Sequence, residues 1–249
     1  MKSIFLASAA AAALFAAPAL AQQAIGSVGV NYANTEVDDF DADAWSVDGV
    51  VALPVGSEWT ATLNGEVTYY DDAAGDDTTV SAAGHLTKMW TGDIRAGGFV
   101  AANDIGDDTV WTVGAEAQKY LAAATLTGLV AYTDVDALEA DMWTVGGDAA
   151  FYVQPNLRLN AGVSYNDLDS DLGGSLEAWT YGVGAEYEFT GTPFSVAAGF
   201  NRADIKDVDL DVDTWTVGLR YSFGGGLQAR DRAGANLGVA SIVSVLGGL

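Results

Sequence analysis

The chain has 249 residues, no cysteine, one histidine and a formal net charge of −24. Without cysteine there is no disulfide framework, so order must come from hydrogen bonding and burial. Such acidity makes a poor partner for nucleic acid, whose phosphates select basic patches. A hydrophobic content of 50% with 10% aromatics excludes an acidic disordered chain.

The first element is residues 1–21. Lys2 gives a positive start, residues 4–17 are an apolar run, and Ala19, Leu20 and Ala21 form a small-residue cleavage pattern. The run is shorter than the roughly 20 residues of a membrane span. Residues 1–21 therefore read as a cleaved secretory signal.

The exported part then alternates with a period of two. Strands are expected over 25–33, 44–53, 59–70, 78–88, 93–103, 109–119, 122–133, 142–153, 156–166, 178–189, 194–202 and 212–223. The segments beginning at Trp45, Trp111, Trp143, Trp179 and Trp215 resemble one another, with a sixth copy at Thr78 that lacks the tryptophan. Their starts lie 32 to 36 residues apart, so each repeat holds two strands and is a β-hairpin. Most of these strands are longer than the 5 to 6 residues usual in soluble proteins. They suit the roughly 9 to 11 residues of a tilted membrane-spanning strand.

The connections alternate too. Short ones at 54–58, 89–92, 120–121, 154–155 and 190–193 hold Pro54, Pro155 and Pro193, where proline cannot disturb a ladder. Longer acidic loops are expected at 34–43, 71–77, 104–108, 134–141, 167–177 and 203–211. With their flanks they hold 25 of the 34 acidic residues. All six loops must then lie at one end of the sheet.

An export signal, an even number of long strands, tight turns at one end and longer loops at the other resemble the Gram-negative outer-membrane β-barrels of the porin-like class. The closing segment, with Thr216, Gly218, Tyr221 and Phe223, looks like the terminal signal that the barrel-assembly machinery reads in that class. The resemblance implies an all-β, closed, antiparallel up-and-down transmembrane barrel over residues 22–223. Twelve strands are expected, within a range of 10 to 14, with short periplasmic turns and acidic extracellular loops. Barrels of this class commonly end at the last aromatic residue. Here residues 224–249 follow and are expected to be a flexible or periplasmic tail.

Parity assigns the faces. One face is apolar with aromatic belts: Trp45, Trp111, Trp143, Trp179 and Trp215 towards the acidic end, and Tyr187, Phe189, Tyr221 and Phe223 towards the tight turns. A bilayer selects such belts, because amphipathic rings favour the headgroup level. A soluble barrel would instead turn this face inward. The opposite face carries Asp48, Glu66, His85, Arg95, Glu116, Asp148, Arg158, Glu186, Glu188 and Arg220, interspersed with small residues. These are the expected pore-lining residues. The alternative is a closed interior cross-linked by the same charges. Twelve strands lie between filled barrels of about eight and open ones of 16 to 18.

No enzyme is expected, since His85 stands without an Asp-His pair and no nucleophile elbow occurs. No cofactor is expected either. Asp167, Asp169 and Asp171, and likewise Asp207, Asp209, Asp211 and Asp213, are spaced for weak divalent-cation binding, but the glycine and glutamate of a calcium loop are missing. The expected function is passive diffusion of small hydrophilic solutes with a preference for cations. A non-conducting structural or surface-interaction barrel is the alternative. Outer-membrane lipid, lipopolysaccharide, the assembly machinery and small solutes or ions are the expected partners. Oligomeric state stays open.

Overall fold

A computed structural model describes residues 24–38, 40–72, 75–105, 108–135, 139–170, 173–206 and 210–237. The expected signal lies outside the described residues. The chain forms twelve strands: β1 (Ile25–Val37), β2 (Phe40–Val55), β3 (Trp59–Asp72), β4 (Gly75–Thr91), β5 (Ile94–Ile105), β6 (Asp108–Tyr120), β7 (Ala124–Val135), β8 (Ala140–Gln154), β9 (Leu157–Ser170), β10 (Ser175–Glu188), β11 (Phe194–Ile205) and β12 (Leu210–Phe223). Each pairs antiparallel with its chain neighbours, and β1 pairs with β12, so the sheet is a closed barrel. The seam runs from Gly26 opposite Phe223 to Val37 opposite Val212. Closure leaves no unpaired edge, which a lipid environment requires.

The strands are longer than expected, from 12 residues in β5 to 17 in β4. Most of the extra length lies at the acidic end, although β4 also gains three residues at its tight-turn end. Segments expected to be loops continue the ladder, as in the pairs Glu36–Asp41, Asp43–Asp71 and Asp204–Asp211. Parity explains the difference: the acidic residues alternate with apolar ones, a strand pattern that high charge had disguised as loop.

This extension inverts the amphipathicity of the strands. Below the tryptophans the outward residues are apolar, with Val47, Val113, Val145, Val183 and Val217 all more than half exposed. Above them the outward positions are Asp43, Asp134, Asp141, Glu177, Asp211 and Asp213, and most of the inward ones are apolar, Thr35 and Thr214 being bonded to each other. Val110, Val135, Ala140, Met142 and Leu168 are buried together inside β6–β9, with Leu176 of β10 packed on them. The acidic end is thus built like a soluble barrel, and the rest like a membrane barrel.

After Phe223 the chain turns back. Gly224, with φ +78°, sits where a Cβ would lie 2.2 Å from the carbonyl of Ala24, so only glycine fits. Helix α1 (Leu227–Arg230) and the wider turn Asp231–Ala235 then enter the barrel at its tight-turn end. Leu227 packs with Ala150 and Tyr152 there. Over residues 227–236 the tail is therefore neither free nor outside the barrel. Polar groups of the wall hold it, and nothing in its composition alone specifies those partners. Residues 238–249 lie outside the described residues.

Candidate functional site: the barrel lumen

All ten charged residues expected in the interior face it, because the ladders preserve parity around the barrel. They do not form opposed acidic and basic rows. They form mixed clusters at different depths. On β1, β2 and β12, Arg220 Nη2 and Asn31 Nδ2 both donate to Asp48 Oδ1, at 3.0 and 2.9 Å. Glu66 lies beside Asp48 in the β2–β3 ladder and accepts from Thr68 Oγ1 at 3.4 Å. On β4 and β6, His85 Nδ1 lies 2.6 Å from Glu116 Oε1, and its Nε2 is 3.3 Å from Asn64 Oδ1. Both side chains of that pair are fully enclosed. On β9 and β10, Arg158 lies 4.0 Å from Glu186, which also accepts from Ser195 Oγ at 2.7 Å. Asp148 stands opposite Thr127, and Glu188 lies beside Gly226 of the tail.

Small residues make room for these clusters. Asn31 lies over Gly218, Asp48 over Gly29 and Asn201 over Gly182, each a cross-strand partner. A Cβ at those glycines would come within 2.2, 2.4 and 2.0 Å of the opposing side-chain oxygen. Glycine there is a socket for a long polar side chain.

Openness differs around the barrel. Along β4–β8 the interior is packed: Phe99, Ala101, Leu129 and Ala131 form one buried cluster, and Thr112 donates to or accepts from Thr133 at 2.8 Å. Along β11, β12 and β1–β3, the inward residues Asn31, Ala33, Ser46, Asp48, Asn64, Glu66, Thr68, Asn201 and Thr216 keep contact with solvent. The accessible lumen is therefore a polar channel along one side of the barrel. It carries Asp48 and Glu66 against Arg220.

The sequence did not point to the groups that meet this channel from the tail. Arg230 donates to Glu186 Oε1 at 2.8 Å and to Ser222 Oγ. Asp231 accepts from Thr125 Oγ1 at 2.5 Å, and Thr62 Oγ1 donates to the Gly234 carbonyl at 2.8 Å. Arg95 donates to Tyr120 at 2.9 Å, to Thr87 at 3.1 Å and to the Arg232 carbonyl at 3.2 Å. The available signal was the charged run Arg230-Asp231-Arg232 in an otherwise apolar, glycine-rich tail.

On the outer face, Trp45, Trp111, Trp143, Trp179 and Trp215 are exposed, as are Tyr187, Phe189 and Tyr221, while Phe223 is half-buried. Four of the tryptophans pack in tilted or edge-on contact with aromatic neighbours across the ladder: Tyr32, Tyr132, Tyr165 and Phe200, with ring centroids 4.6 to 5.3 Å apart. The tight-turn belt gains Trp59 and Trp90, with Lys88 Nζ 5.9 and 5.4 Å from their rings. Above the tryptophans, hydrogen bonds from Asn34 and Tyr32 hold the Asp43 carboxyl below its usual range. Arg202 does the same for Asp213. Among the described residues no three His, Asp or Glu side chains converge on a metal position. The Asp167 and Asp207 segments expected to bind divalent ions lie partly outside those residues. No described helix is long and apolar enough to cross a membrane; this barrel would cross with strands.

The family described as outer membrane protein beta-barrel domain matches residues 7–223. No curated protein matches the chain. Among solved structures, the NanC porin is similar at 8% identity and a TM-score of 0.59, covering 78% of this chain and 98% of that one. The KdgM porin is similar at 8% identity and a TM-score of 0.57, over 78% of this chain and 99% of that one. The CymD monoaromatic hydrocarbon channel is similar at 9% identity and a TM-score of 0.54, over 83% and 89%. At such identities the likeness is one of fold.

Proposed function

Because this chain belongs to the outer membrane β-barrel family, a family of the bacterial outer membrane, we propose that it is a channel for passive diffusion of small hydrophilic solutes, with a preference for cations. The observation that carries this reading is the polar channel along β11, β12 and β1–β3, bounded outside by an apolar, aromatic-belted face. We take the tight turns as periplasmic and the acidic rim as external, after export by the residue 1–21 signal. The porin and channel character of the similar structures supports the general function. The preference for cations rests on Asp48 and Glu66, which Arg220 only partly offsets. A low-dielectric wall strengthens the pull of such groups on a counter-ion.

The acidic rim bears on selectivity only indirectly. Among the described residues its strand carboxylates, such as Asp43, Asp134, Asp141, Glu177, Asp211 and Asp213, point to the outer face and not into the entrance. Their pull on an entering ion is screened over roughly 8 Å at physiological salt. They also face the level at which lipopolysaccharide carries its phosphates, where divalent ions could bridge the two.

Purified protein in a planar bilayer under a salt gradient is the test. Discrete current steps with a cation-selective reversal potential are expected, and replacing Asp48 and Glu66 together with Asn and Gln should move that potential towards zero. Anion selectivity at low salt would overturn the preference. The tail seated in the tight-turn end favours the second reading, a non-conducting barrel, for the state seen here.

A further inference from the structure

The inward residues at the tight-turn end are buried on every strand except β9. Ser27, Thr62, Thr87, Thr125, Ser195 and Ser222 are at most 4% exposed. In a hollow barrel such small polar residues would face water. Here the tail bonds Thr62, Thr125 and Ser222 directly, and it touches Arg95 and Glu186, which hold Thr87 and Ser195.

The attachment of the tail is polar and tethered. Apart from Leu227 and Ala235, its buried residues are charged or glycine. The hinge is Gly224-Gly225-Gly226, which leaves the last strand without a packed side chain. A segment on so short a flexible tether meets its site at an effective concentration on the order of mM. Weak intrinsic affinity is then enough to keep it seated. The same hinge lets it leave without disturbing the ladder, since β12 completes its pairing with β1 at Phe223.

We propose that residues 226–237 are a displaceable plug, and that the lumen conducts fully only when this segment leaves its seat. This rests on the reading of the barrel as a channel. With the plug in place, the polar channel is a vestibule closed at the tight-turn end. Arg230 is the latch: it meets Glu186 on β10 and Ser222 on β12, and so ties the plug to two strands. Asp231, through Thr125 on β7, ties it to a third strand. A solute or partner that competes for Glu186 would unseat the plug. Closing by a tethered element requires only that two arrangements differ by a few contacts.

The absence of native cysteine makes a clean test possible. In full-length protein carrying T125C and D231C, oxidation joins plug and wall, and reduction frees them. A separate R230E variant sets two carboxylates against each other at the latch. A spin label at Gln228→Cys, placed in wild-type and R230E backgrounds, reports whether the segment is seated. Heat-modifiable gel migration reports that each barrel has folded. Oxidised protein should show rare or small current steps, with conductance rising at least severalfold on reduction. R230E should conduct at least as well as the reduced form, which keeps the Arg230 latch, and its label should become mobile. Equal, substantial conductance in oxidised and reduced protein would overturn the plug and leave the channel standing. A folded R230E barrel with a mobile label and no current would overturn both. A label that stays immobile in R230E while current is unchanged would overturn the latch and with it the proposal.

Discussion

At the scale of single residues, the interior is organised by what stands opposite each glycine. Asn31, Asp48 and Asn201 occupy space that a cross-strand Cβ would fill. Gly97 is tighter still, because an added Cβ would meet the Leu86 carbonyl at 2.1 Å and Thr87 Cα at 2.6 Å. Backbone cannot rotate away as a side chain can. Gly97→Ala should therefore lower the stability of the refolded barrel by about 1–3 kcal/mol, measured from urea unfolding in detergent. Gly128→Ala, which meets nothing within 4 Å, should leave the midpoint unchanged or raise it slightly. Parity alone placed all ten charged residues on the inner face, because a strand cannot change faces without a bulge. It could not pair them. That Asp48 meets Arg220 across the seam, or that Glu186 meets Arg230 of the tail, depends on register and on contacts 172 and 44 residues apart in the chain.

The lesson at the scale of elements concerns strand ends. In β12, Asp211 and Asp213 point outward around the buried Val212, and beyond Trp215 the outward residues become Val217, Leu219 and Tyr221. The period of two is unbroken while the solvent outside changes. In the sequence the acidic rim looks like loop because its charge density masks the alternation. The buried partners Val110, Val135, Met142 and Leu168 show why the rim is ordered instead: they give it a small core of its own. Met142, 1% exposed, is central to that core. Met142→Ala should cost about 2 kcal/mol or more and open the β7–β8 end to proteolysis, while the membrane part stays folded. The rim pairs set a pH dependence. Arg202 lowers the Asp213 pKa in the folded state. A group lowered in this way stabilises the fold above its unfolded value of about 3.8 and loses that contribution as pH falls through the lower, folded value. Side-chain NMR titration should find Asp213 ionising below 3.8, and Arg202→Met should return it towards the ordinary value. Exposure at this pair keeps the effect on stability small.

On the scale of the whole molecule, the fold was legible because several weak signals coincide only in a closed membrane barrel: hairpin repeats, proline confined to one set of turns, and tryptophans in register. The lumen's shape was not legible. Twelve strands permit either a filled or an open interior, and the outcome depends on how side chains from non-neighbouring strands meet. Here they fill β4–β8, leave the β11–β3 side accessible, and receive the tail from below. Insertion depth follows from the inversion at the tryptophans. Were the barrel to sink by one pair of residues, Asp43, Glu177 and Asp213 would enter hydrocarbon, at roughly 2.5 kcal/mol or more for each carboxylate near the midplane and less near the interface. Were it to rise by the same amount, valines would be stranded in water. The bilayer can therefore hold this protein at only one height, and a thicker membrane must thin around it rather than let it drift.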